Sequence, residues 1–531
     1  MRLVRPCTVD EYRVGVQDGR DYMQNMHRFH DWRRELFALK GWKRTIKAVG
    51  GPAPELNTID PAVIRHVLSD SFDRYTKSSR HEDYLVELMH EFLGDGGIFV
   101  LQHGQGPELD HPDANELWLQ QRKTASKIFT QRNFRELMGK VFEQKAAVVM
   151  RLLDEHCARN AGTLPLDAQQ LFFAFTMDSA YQIFFGRDEC DTLNGSSLRF
   201  AAAFDGAHRA MLDYMFSNIS FIVLAGLLPF PFGTLHWFRG PVGIAQHLHR
   251  LAHPVARTFA AHCKTLARES TQIIRRRRLE MARSGNTRAD LLTLFMLAKT
   301  EEGKAARPYT DSALHAIVMS FIIAGRDTTA CLLSWTTYIL STHAHVQAEL
   351  CAEVDRVLRH LRPDAAPTIE QLSASAMPYL NGVVFEALRL YPPVPEDYKV
   401  CNAEAGDTLP DGTHVPHGVH VNFLPYVMGR DPHRYANPDT VQPERWIPFV
   451  QPSPYDFPVF QAGPRICLGQ QMALYEAKLL LVQMLRRFTF SLEAGEQEKI
   501  TYSNTLTMAV CNSKAQDSHQ LLVHPQPRHP K

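Results

Sequence analysis

The most informative segment of the sequence is Phe460-Gln461-Ala462-Gly463-Pro464-Arg465-Ile466-Cys467-Leu468-Gly469, just ahead of a helical pattern near the C-terminus. A thiolate that binds iron needs a cysteine on a tight loop whose backbone amides turn toward the sulfur. We expect Gly463 and Gly469 to permit this turn, because glycine adopts backbone conformations that other residues avoid. Cys467 is therefore a candidate axial ligand to haem iron.

Two neighbours of the cysteine fit the same site. Arg465 could place its guanidinium against a haem propionate, where bidentate charge-assisted pairing is strongest. Phe460 would shield the sulfur from water. The alternative is that Cys467, one of nine cysteines, packs as a small buried hydrophobe, as free cysteines usually do. For an isolated cysteine that alternative is favoured.

The pattern is not isolated. Phe-x-x-Gly-x-Arg-x-Cys-x-Gly fixes five positions within ten and resembles the haem loop of the cytochrome P450 (haem-thiolate) family. Three further matches follow in the family's order along the chain, and an accidental cysteine loop would not predict them.

The first match is Ala324-Gly325-Arg326-Asp327-Thr328-Thr329, inside an apolar helical pattern from about Leu314 to Leu340. It is similar to the family's long distal helix. We expect Gly325 to let substrate and dioxygen approach the helix backbone, at a cost of about 1 kcal/mol in helix propensity.

The polar residues of this match fit the cleavage of dioxygen. Splitting the O–O bond requires protons at its outer oxygen, and a buried hydroxyl can hold the water that supplies them. We predict that Thr328 provides this hydroxyl and that Asp327 relays protons from solvent. In the alternative, Thr328 only bonds back to the preceding helical turn, as buried threonines often do. Beside Cys467 that alternative is the weaker one.

The second match is Glu386-Ala387-Leu388-Arg389, whose spacing puts both charges on one helical face. Such a pair is usually a solvated salt bridge. Here it is followed by Leu390-Tyr391-Pro392-Pro393-Val394-Pro395 and, downstream, by Pro443-Glu444-Arg445-Trp446, which also match the family. The resemblance implies that Glu386, Arg389 and Arg445 form a buried structural triad. Removing one member would strand a buried charge at a cost of roughly 3–5 kcal/mol.

The third match is Trp118-Leu119-Gln120-Gln121-Arg122, whose spacing brings the indole N–H and the guanidinium to one helical face. Both could bind a haem propionate. An ordinary stacked pair is the commoner explanation of this spacing, so the match gains its weight from its position in the chain. The following residues, 123–129, also fit the family's third helix.

Length and composition agree with this resemblance. The chain has 531 residues, of which 45% are hydrophobic and 22% charged, so it can bury the core of one oversized α-rich domain. Helical periodicity covers Phe173–Phe185 and Val346–Leu358, and alternation predicts a strand near Val419–Leu424. The resemblance implies a mostly α fold with small β-sheets (α+β), the cytochrome P450 fold, in a single haem-binding domain.

The resemblance places the haem domain at residues 26–515, between an atypical N-terminal segment, 1–25, and a C-terminal tail, 516–531. Eukaryotic members usually begin with an apolar anchor of about 20 residues, which can span a bilayer. The first 30 residues of this sequence are too charged for an anchor or a signal peptide. Either the anchor was lost or the recorded chain starts late. The family implies the cytosolic face of the endoplasmic reticulum membrane, and a cytosolic or peripheral location stays open.

Two further segments depart from the family pattern. Residues 214–238 contain no Asp, Glu, Lys or Arg, and prolines and glycines make them a poor spanning helix. In the family this is a lid over the substrate channel. Attachment to a membrane interface, a lid packed on its own domain and a wrongly recorded insertion all remain open. Residues 102–115, which normally cap the substrate, are longer and more polar than the family pattern.

Charge and cysteine usage exclude other classes. A formal net charge of +1 gives no electrostatic case for nucleic acid, and we interpret the run Arg275-Arg276-Arg277-Arg278 as a solvated helix face, or as a docking site for an acidic redox partner. The nine cysteines are scattered without the paired spacing of a zinc site or a disulfide framework. A reducing compartment is the natural interpretation.

The reaction class follows from a thiolate on haem. Electron donation from sulfur favours O–O cleavage, so one oxygen atom enters an unactivated C–H bond and the other becomes water. The resemblance implies haem b (iron protoporphyrin IX) as cofactor. It also implies a separate NADPH-dependent flavoprotein reductase as the source of the two electrons, because no flavin or nucleotide domain follows the haem domain.

The substrate is predicted from a narrower resemblance. Residues 324–329, the Arg-Lys-Thr-Ala-Ser segment at 122–126 and Tyr426–Arg430 are similar to the fatty-acid and alkane terminal hydroxylases of plants and fungi. We therefore expect terminal (omega) hydroxylation of a long-chain fatty acid; an alkane or a sterol as substrate, and a haem-binding protein without turnover, are the alternatives. The resemblance places six residues in the pocket: Phe321, Ala324, Val394, Pro395, Leu506 and Thr507.

Overall fold

A computed structural model describes most of the chain, and the segments around residues 103–113 and 227–252 are the largest outside it. The described residues are 21, 24–47, 55–77, 84–102, 114–160, 164–186, 189–195, 199–226, 253–284, 290–298, 309–362, 364–493, 495–503, 506–512 and 519–528. The expected cap at 102–115 therefore lies mostly outside the described residues. So does the apolar segment 214–238, apart from the end of one helix.

Helices dominate the described part of the chain, and most of the hydrophobic core lies between them. They are α1 Phe29–Leu39, α2 Pro61–Arg65, α3 Tyr84–Leu93, α4 Ala114–Ser126, α5 Gln131–Asn133, α6 Gly139–Asn160, α7 Ala168–Phe185, α8 Arg199–Gly226, α9 Pro254–Ser284, α10 Leu291–Leu297, α11 Asp311–Thr342, α12 Ala344–Leu358, α13 Pro378–Leu390, α14 Pro425–Met428 and α15 Gln470–Leu485.

Short helical turns join these elements. The 3₁₀ turns are Met26–Arg28, Phe72–Arg74, Thr192–Asn194, Pro443–Trp446, Pro458–Phe460, Gly463–Arg465 and Gln497–Lys499, and the π turns are His66–Asp70 and Phe134–Met138.

The strands form small sheets. They are β1 Thr45–Lys47, β2 Glu55–Thr58, β3 Tyr75–Thr76, β4 Leu166–Asp167, β5 Asp397–Cys401, β6 Asp407–Thr408, β7 His414–Val415, β8 His420–Phe423, β9 Phe488–Ser491, β10 Ile500–Tyr502, β11 Val510–Asn512 and β12 Leu522–Pro527. The largest sheet has the order β1-β2-β8-β5-β3, with β2 and β8 parallel and its other neighbours antiparallel. A second sheet has the order β4-β12-β9, and the pairs β10–β11 and β6–β7 complete the set.

Helix α11 is the central element of the core. Its N-terminus is capped by Thr310, whose side chain accepts a hydrogen bond from the Ala313 amide. The helix is apolar on nearly all sides and packs against α7, α9, α13 and α15. Within the described residues it is the one helix long and apolar enough to cross a membrane, and 83% of its most apolar window is buried inside the protein. Burial on all sides explains the hydropathy of α11 without a membrane.

The expected helices and strand are confirmed with slightly longer or shorter bounds, as α7, α11, α12 and β8. The expected C-terminal tail is wrong. Strand β12 pairs with both β4 and β9, and Leu521 and Val523 are fully buried. A short strand after a polar segment shows no helical period that would extend the domain, but it forms the centre of this sheet, between β4 and β9.

The arginine run on α9 is also more than a solvated face. Arg277 is buried, and its Nη2 lies 3.1 Å from the Asp290 carboxylate and donates to the Phe185 carbonyl at 2.6 Å. Arg278 donates to Tyr309 O and to Asp311. Helical rotation turns one member of the run inward, so this part of the interpretation is corrected.

Candidate haem-thiolate site

The cysteine loop has a backbone that few sequences could adopt. It is built from the turns Pro458–Phe460 and Gly463–Arg465, and the Cys467 amide donates to Phe460 O at 2.8 Å. Gly463 has φ +61°, and a Cβ there would lie 2.0 Å from the carbonyl oxygen of Leu68. A glycine is therefore required by both backbone angle and close approach.

Gly469 plays a smaller part than expected. Its φ is −89°, and a Cβ there would lie 3.9 Å from the Cys467 sulfur, an ordinary contact. The residue begins α15, where a small residue leaves the helix amides free to face the sulfur. The positive-φ freedom that we expected at this position is not used.

The Cys467 sulfur faces a space inside the protein. The residue is exposed by surface area, yet burial raises the pKa of its thiol, while the Gly469 and Gln470 amides and the Arg122 guanidinium act to lower it. Both facts hold when the accessible surface of the sulfur opens into an enclosed cleft. Amides at a helix start and a nearby cation are the surroundings that stabilise a thiolate.

Trp118, Arg122 and Arg465 converge beside this loop. The Arg465 guanidinium carbon lies 4.3 Å from the centre of the Trp118 ring, and Arg122 lies 5.7 Å from it. Arg122 Nη2 donates to Ile466 O at 2.7 Å, and Arg465 Nη2 donates to Leu101 O at 2.9 Å. One nitrogen of each guanidinium therefore holds backbone in place beside the Trp118 ring.

Two lysines join the arginines. Burial, Arg465 and Lys399 lower the pKa of Lys77 well below its usual value, and burial lowers that of Lys399 with Arg465 contributing. Burial and Arg122 lower the pKa of Arg465 to about 9. Asp397 is the carboxylate that opposes these shifts, and Lys399 Nζ lies 3.4 Å from it.

This excess of cations tests whether the residues fit haem. In addition to burial, Arg122 lowers the pKa of Arg465, and Arg465 lowers those of Lys77 and Lys399, which is a costly arrangement unless an anion neutralises the cations. Haem carries two propionates, and Arg122 shares α4 with Trp118 while Arg465 lies in the Cys467 loop. The residues present therefore fit an anionic porphyrin held over the Cys467 sulfur.

The distal motif adopts a geometry that differs from the expectation in two respects. Thr328 Oγ1 donates to Ala324 O at 2.6 Å. The hydroxyl proton therefore bonds back to the preceding helical turn, as in the alternative, while the hydroxyl oxygen can still accept a hydrogen bond. A Cβ on Gly325 would lie 3.2 Å from the Phe184 ring, so this glycine serves close packing of α11 on α7. The expected approach of substrate to the Gly325 backbone is corrected accordingly.

Asp327 is fully buried and is reached through charged neighbours rather than by water directly. Arg326 Nη1 donates to its Oδ1, and the same guanidinium pairs with Asp205 on α8. The Arg326 guanidinium also lies over the Phe173 ring at 4.5 Å. Through Arg326 and Asp205, Asp327 is linked to the contact between α8 and α11.

The structure brings the charged triad together. Arg389 donates to Glu386 through Nε at 2.8 Å and Nη2 at 2.7 Å, and Arg445 Nε donates to the same carboxylate at 3.2 Å. The Trp446 indole and the Gln442 amide complete the shell. Arg389 also donates to Pro438 O at 2.6 Å, which ties α13 to the following loops.

The expected pocket residues come from segments that touch. The Met508 amide donates to Pro393 O at 2.9 Å, which sets residues 506–508 beside 393–395, and the Trp335 indole donates to Met508 O. Val394 and Leu506 are half-buried, and Phe321 packs edge-on against Phe184. Thr507 is buried, and its hydroxyl bonds to Cys331. Thr507 therefore faces α11 rather than presenting its hydroxyl to a ligand.

Sequence reasoning missed Lys77, Lys399, Asp205 and Asp397. Lys399 and Asp397 share one face of β5, and a buried lysine two residues from an acid in a strand is a signal that could have been noticed. Lys77 and Asp205 carry no local signal, because each owes its position to contacts with distant segments.

Known proteins resemble this chain along most of its length. The family model described as Cytochrome P450 matches residues 66–517. Cytochrome P450 704C1 of Pinus taeda is 30% identical over 512 residues, which cover 91% of this chain and 87% of that protein. Cytochrome P450 CYP94D108 of Paris polyphylla is 31% identical over 478 residues, covering 88% and 84%. Cytochrome P450 86B1 of Arabidopsis thaliana is 30% identical over 467 residues, covering 85% and 75%.

Proposed function

The chain belongs to the cytochrome P450 family and is a monooxygenase, and we propose that it hydroxylates long-chain fatty acids at or near the terminal carbon. Haem, when bound, supplies the chemistry that splits dioxygen and inserts one oxygen atom into a C–H bond. The protein binds and orients the reactants, excludes water and moves protons.

The observation that carries the substrate proposal is the combination of three motif segments with an apolar pocket. Residues 324–329, 122–126 and 426–430 are similar to those of fatty-acid and alkane terminal hydroxylases of plants and fungi, and the relatives named above come from plants. The pocket segments contribute Phe321, Ala324, Val394, Pro395 and Leu506, whose side chains offer apolar surface. An extended hydrocarbon chain suits such a lining.

We propose the following roles for the site residues. Cys467 is the thiolate ligand, with Phe460, Gly463 and Gly469 shaping its loop. Trp118, Arg122 and Arg465 bind the propionates, joined by Lys77 and Lys399. Thr328 and Asp327 deliver protons where the O–O bond breaks. Glu386, Arg389 and Arg445 are structural.

The surroundings of the enzyme are part of the proposal. A separate NADPH-dependent flavoprotein reductase supplies electrons, as the resemblance to the family implies. A peripheral location at the cytosolic face of the endoplasmic reticulum membrane is supported by the uncharged stretch 214–238. The haem domain begins near residue 26 and includes β12.

Paired substrates test the proposal. The holoprotein, with reductase and NADPH, is given palmitic acid, hexadecane or a plant sterol, and the spin-state shift on binding and the oxidised products are measured. Palmitic acid and hexadecane have equally long chains and differ in the carboxylate. We expect palmitic acid to bind and to yield terminally hydroxylated acid.

Two results would contradict the proposal. Preferential turnover of hexadecane or the sterol would reassign the substrate. Haem that reductase and NADPH fail to reduce, in protein that dithionite reduces normally, would indicate haem binding without turnover.

A further inference from the structure

A histidine on α8 faces the buried carboxylate of the distal helix. His208 Nδ1 lies 3.5 Å from Asp327 Oδ2. The imidazole is stacked parallel to the Phe92 ring, with 6.3 Å between ring centres and an interplanar angle of 1°. Phe92 thus fixes the plane of the ring, and less than an ångström of movement along that plane brings the two atoms within hydrogen-bond distance.

The polar atoms at this contact are left with unused capacity. Asp327 Oδ2, His208 Nε2 and Arg326 Nε are all buried, and the described part of the chain gives none of them a hydrogen-bond partner. Leaving a buried polar atom without a hydrogen-bond partner costs free energy. Three such atoms at one helix contact call for an explanation, and a role in which hydrogen bonds form and break during turnover provides one.

The cluster connects the buried carboxylate with the surface. Asp205 precedes His208 by one helical turn on α8, so both side chains lie on the same face. The Asp205 side chain is 49% exposed and pairs with Arg326, whereas the Asp327 side chain is 0% exposed. His208, at 14%, lies between these extremes. Asp205, His208 and Asp327 therefore form a graded path from solvent to the interior.

We propose that His208 is a positioning residue for proton delivery, which carries protons from the solvent side of α8 to Asp327. One proton arrives at Nε2 as the Nδ1 proton leaves for Asp327 Oδ2. One proton enters and one leaves, so the imidazole is neutral before and after and ends as its other tautomer; proton exchange with solvent restores the first tautomer before the next turnover. This inference rests on the proposed role of Asp327 and Thr328.

The charges around His208 suit this task. Burial lowers the pKa of His208, and Arg326 adds to that effect, while Asp327 and Asp205 oppose it. The ring is thus kept neutral and ready to accept a proton. Of the other helices packed on α8, α3 presents the apolar Phe92 ring, and α9 presents His262 against the backbone of Gly206.

The test compares two substitutions with a matched control. His208→Gln keeps a polar group near Asp327 but has no proton to relay, and His208→Phe keeps a ring against Phe92. The control is His315→Gln, a buried histidine of α11 that bonds to Ser270 instead. The holoproteins are assayed with reductase for product, for peroxide released per NADPH and for the solvent isotope effect.

We expect both His208 variants to lose about 100-fold in product formation, with more peroxide and a larger solvent isotope effect, while His315→Gln changes none of these. Unchanged product formation in His208→Gln or His208→Phe would overturn the proposal, because a purely structural role requires only the shape of the side chain. An equal rise of peroxide in His315→Gln would overturn it as well.

A titration provides a readout independent of substrate. The His208 ring is followed by NMR in the diamagnetic carbon monoxide complex of the holoprotein, with its signal assigned by loss in His208→Gln. In Asp327→Asn the pKa of His208 should fall, because Asp327 raises it. An unchanged pKa would overturn the proposed coupling.

The same variants distinguish a failure of the His208 proposal from a failure of the proposed role of Asp327. If Asp327→Asn releases peroxide and His208→Gln does not, the His208 proposal fails and the role of Asp327 stands. If Asp327→Asn remains fully coupled, the proposed role of Asp327 fails and the relay fails with it.

Discussion

Glu386 and Asp327 are both fully buried carboxylates next to arginines, and the structure treats them oppositely. Both oxygens of Glu386 accept hydrogen bonds, from Arg389, Arg445, Trp446 and the Gln442 amide. Asp327 has a donor on Oδ1 from Arg326, while Oδ2 has none among the described residues. A buried carboxylate whose oxygens all accept hydrogen bonds holds the fold in one arrangement. A carboxylate oxygen that accepts none can still form a hydrogen bond or take up a proton. The contrast is consistent with the proposed roles, structural for Glu386 and proton-delivering for Asp327.

Removal of the Cys467 sulfur should have the largest effect on activity. Cys467→Ala should lose the red-shifted band of the reduced carbon monoxide complex and all turnover, because no other side chain of the loop can serve as thiolate. Cys157→Ala, which alters a half-buried cysteine on α6 far along the chain, should keep the band. Retention of the band in Cys467→Ala would show that another residue binds the iron.

Glu386→Gln tests the acid whose two oxygens both accept hydrogen bonds. The substitution keeps the shape but removes the charge that neutralises Arg389, whose side chain is 0% exposed. We expect the free energy of unfolding to fall by about 3–5 kcal/mol, together with the haem-loaded fraction, as measured by denaturant titration and absorbance. Glu444→Gln, an exposed acid next to Arg445 in the turn Pro443–Trp446, should change stability by less than about 0.5 kcal/mol. An equal loss of stability in Glu386→Gln and Glu444→Gln would contradict the structural role of Glu386.

Asp327→Asn tests the acid whose Oδ2 accepts no hydrogen bond among the described residues. We expect product formation to fall about 100-fold, within the range of general acid catalysis, while stability changes much less than in Glu386→Gln, because Arg326 keeps its pair with Asp205. Product, peroxide and unfolding are measured on the same preparation. A loss of stability as large as that of Glu386→Gln would make Asp327 a structural acid and end the comparison.

A buried histidine, His30, gives an effect on stability that appears only below neutral pH. Burial lowers the pKa of His30 from its ordinary value of 6.5 to about 3, so between these values the unfolded chain binds a proton that the folded chain refuses. The stability contribution is complete above pH 6.5 and is lost as the pH falls, by up to about 1.4 kcal/mol per unit.

His30→Phe should remove this part of the acid sensitivity. The ring of His30 packs against Tyr426 and Tyr502, and phenylalanine can keep that packing. Thermal unfolding between pH 7 and pH 4 is the measurement, with a flatter profile expected in the variant. An unchanged slope would mean that other groups set the acid limit.

Local motifs account for the part of the site that was predictable. The Cys467 loop needs residues at fixed offsets within one turn, and Glu386 and Arg389 need one helical turn, so short spacing in sequence becomes short distance in space. The bounds of α7, α11 and α12 follow from apolar periodicity for the same reason. The sequence by itself determined the fold class and the loop chemistry.

Tertiary structure decided the rest. Lys77, Arg122, Lys399 and Arg465 form one cationic cluster although they lie on four separate segments, and His208 meets Asp327 through the contact of α8 with α11. The same holds for β12, which becomes part of the domain only by pairing with β4 and β9. Such contacts depend on how distant elements pack, and hydrophobic periodicity states that a face is buried without stating against what.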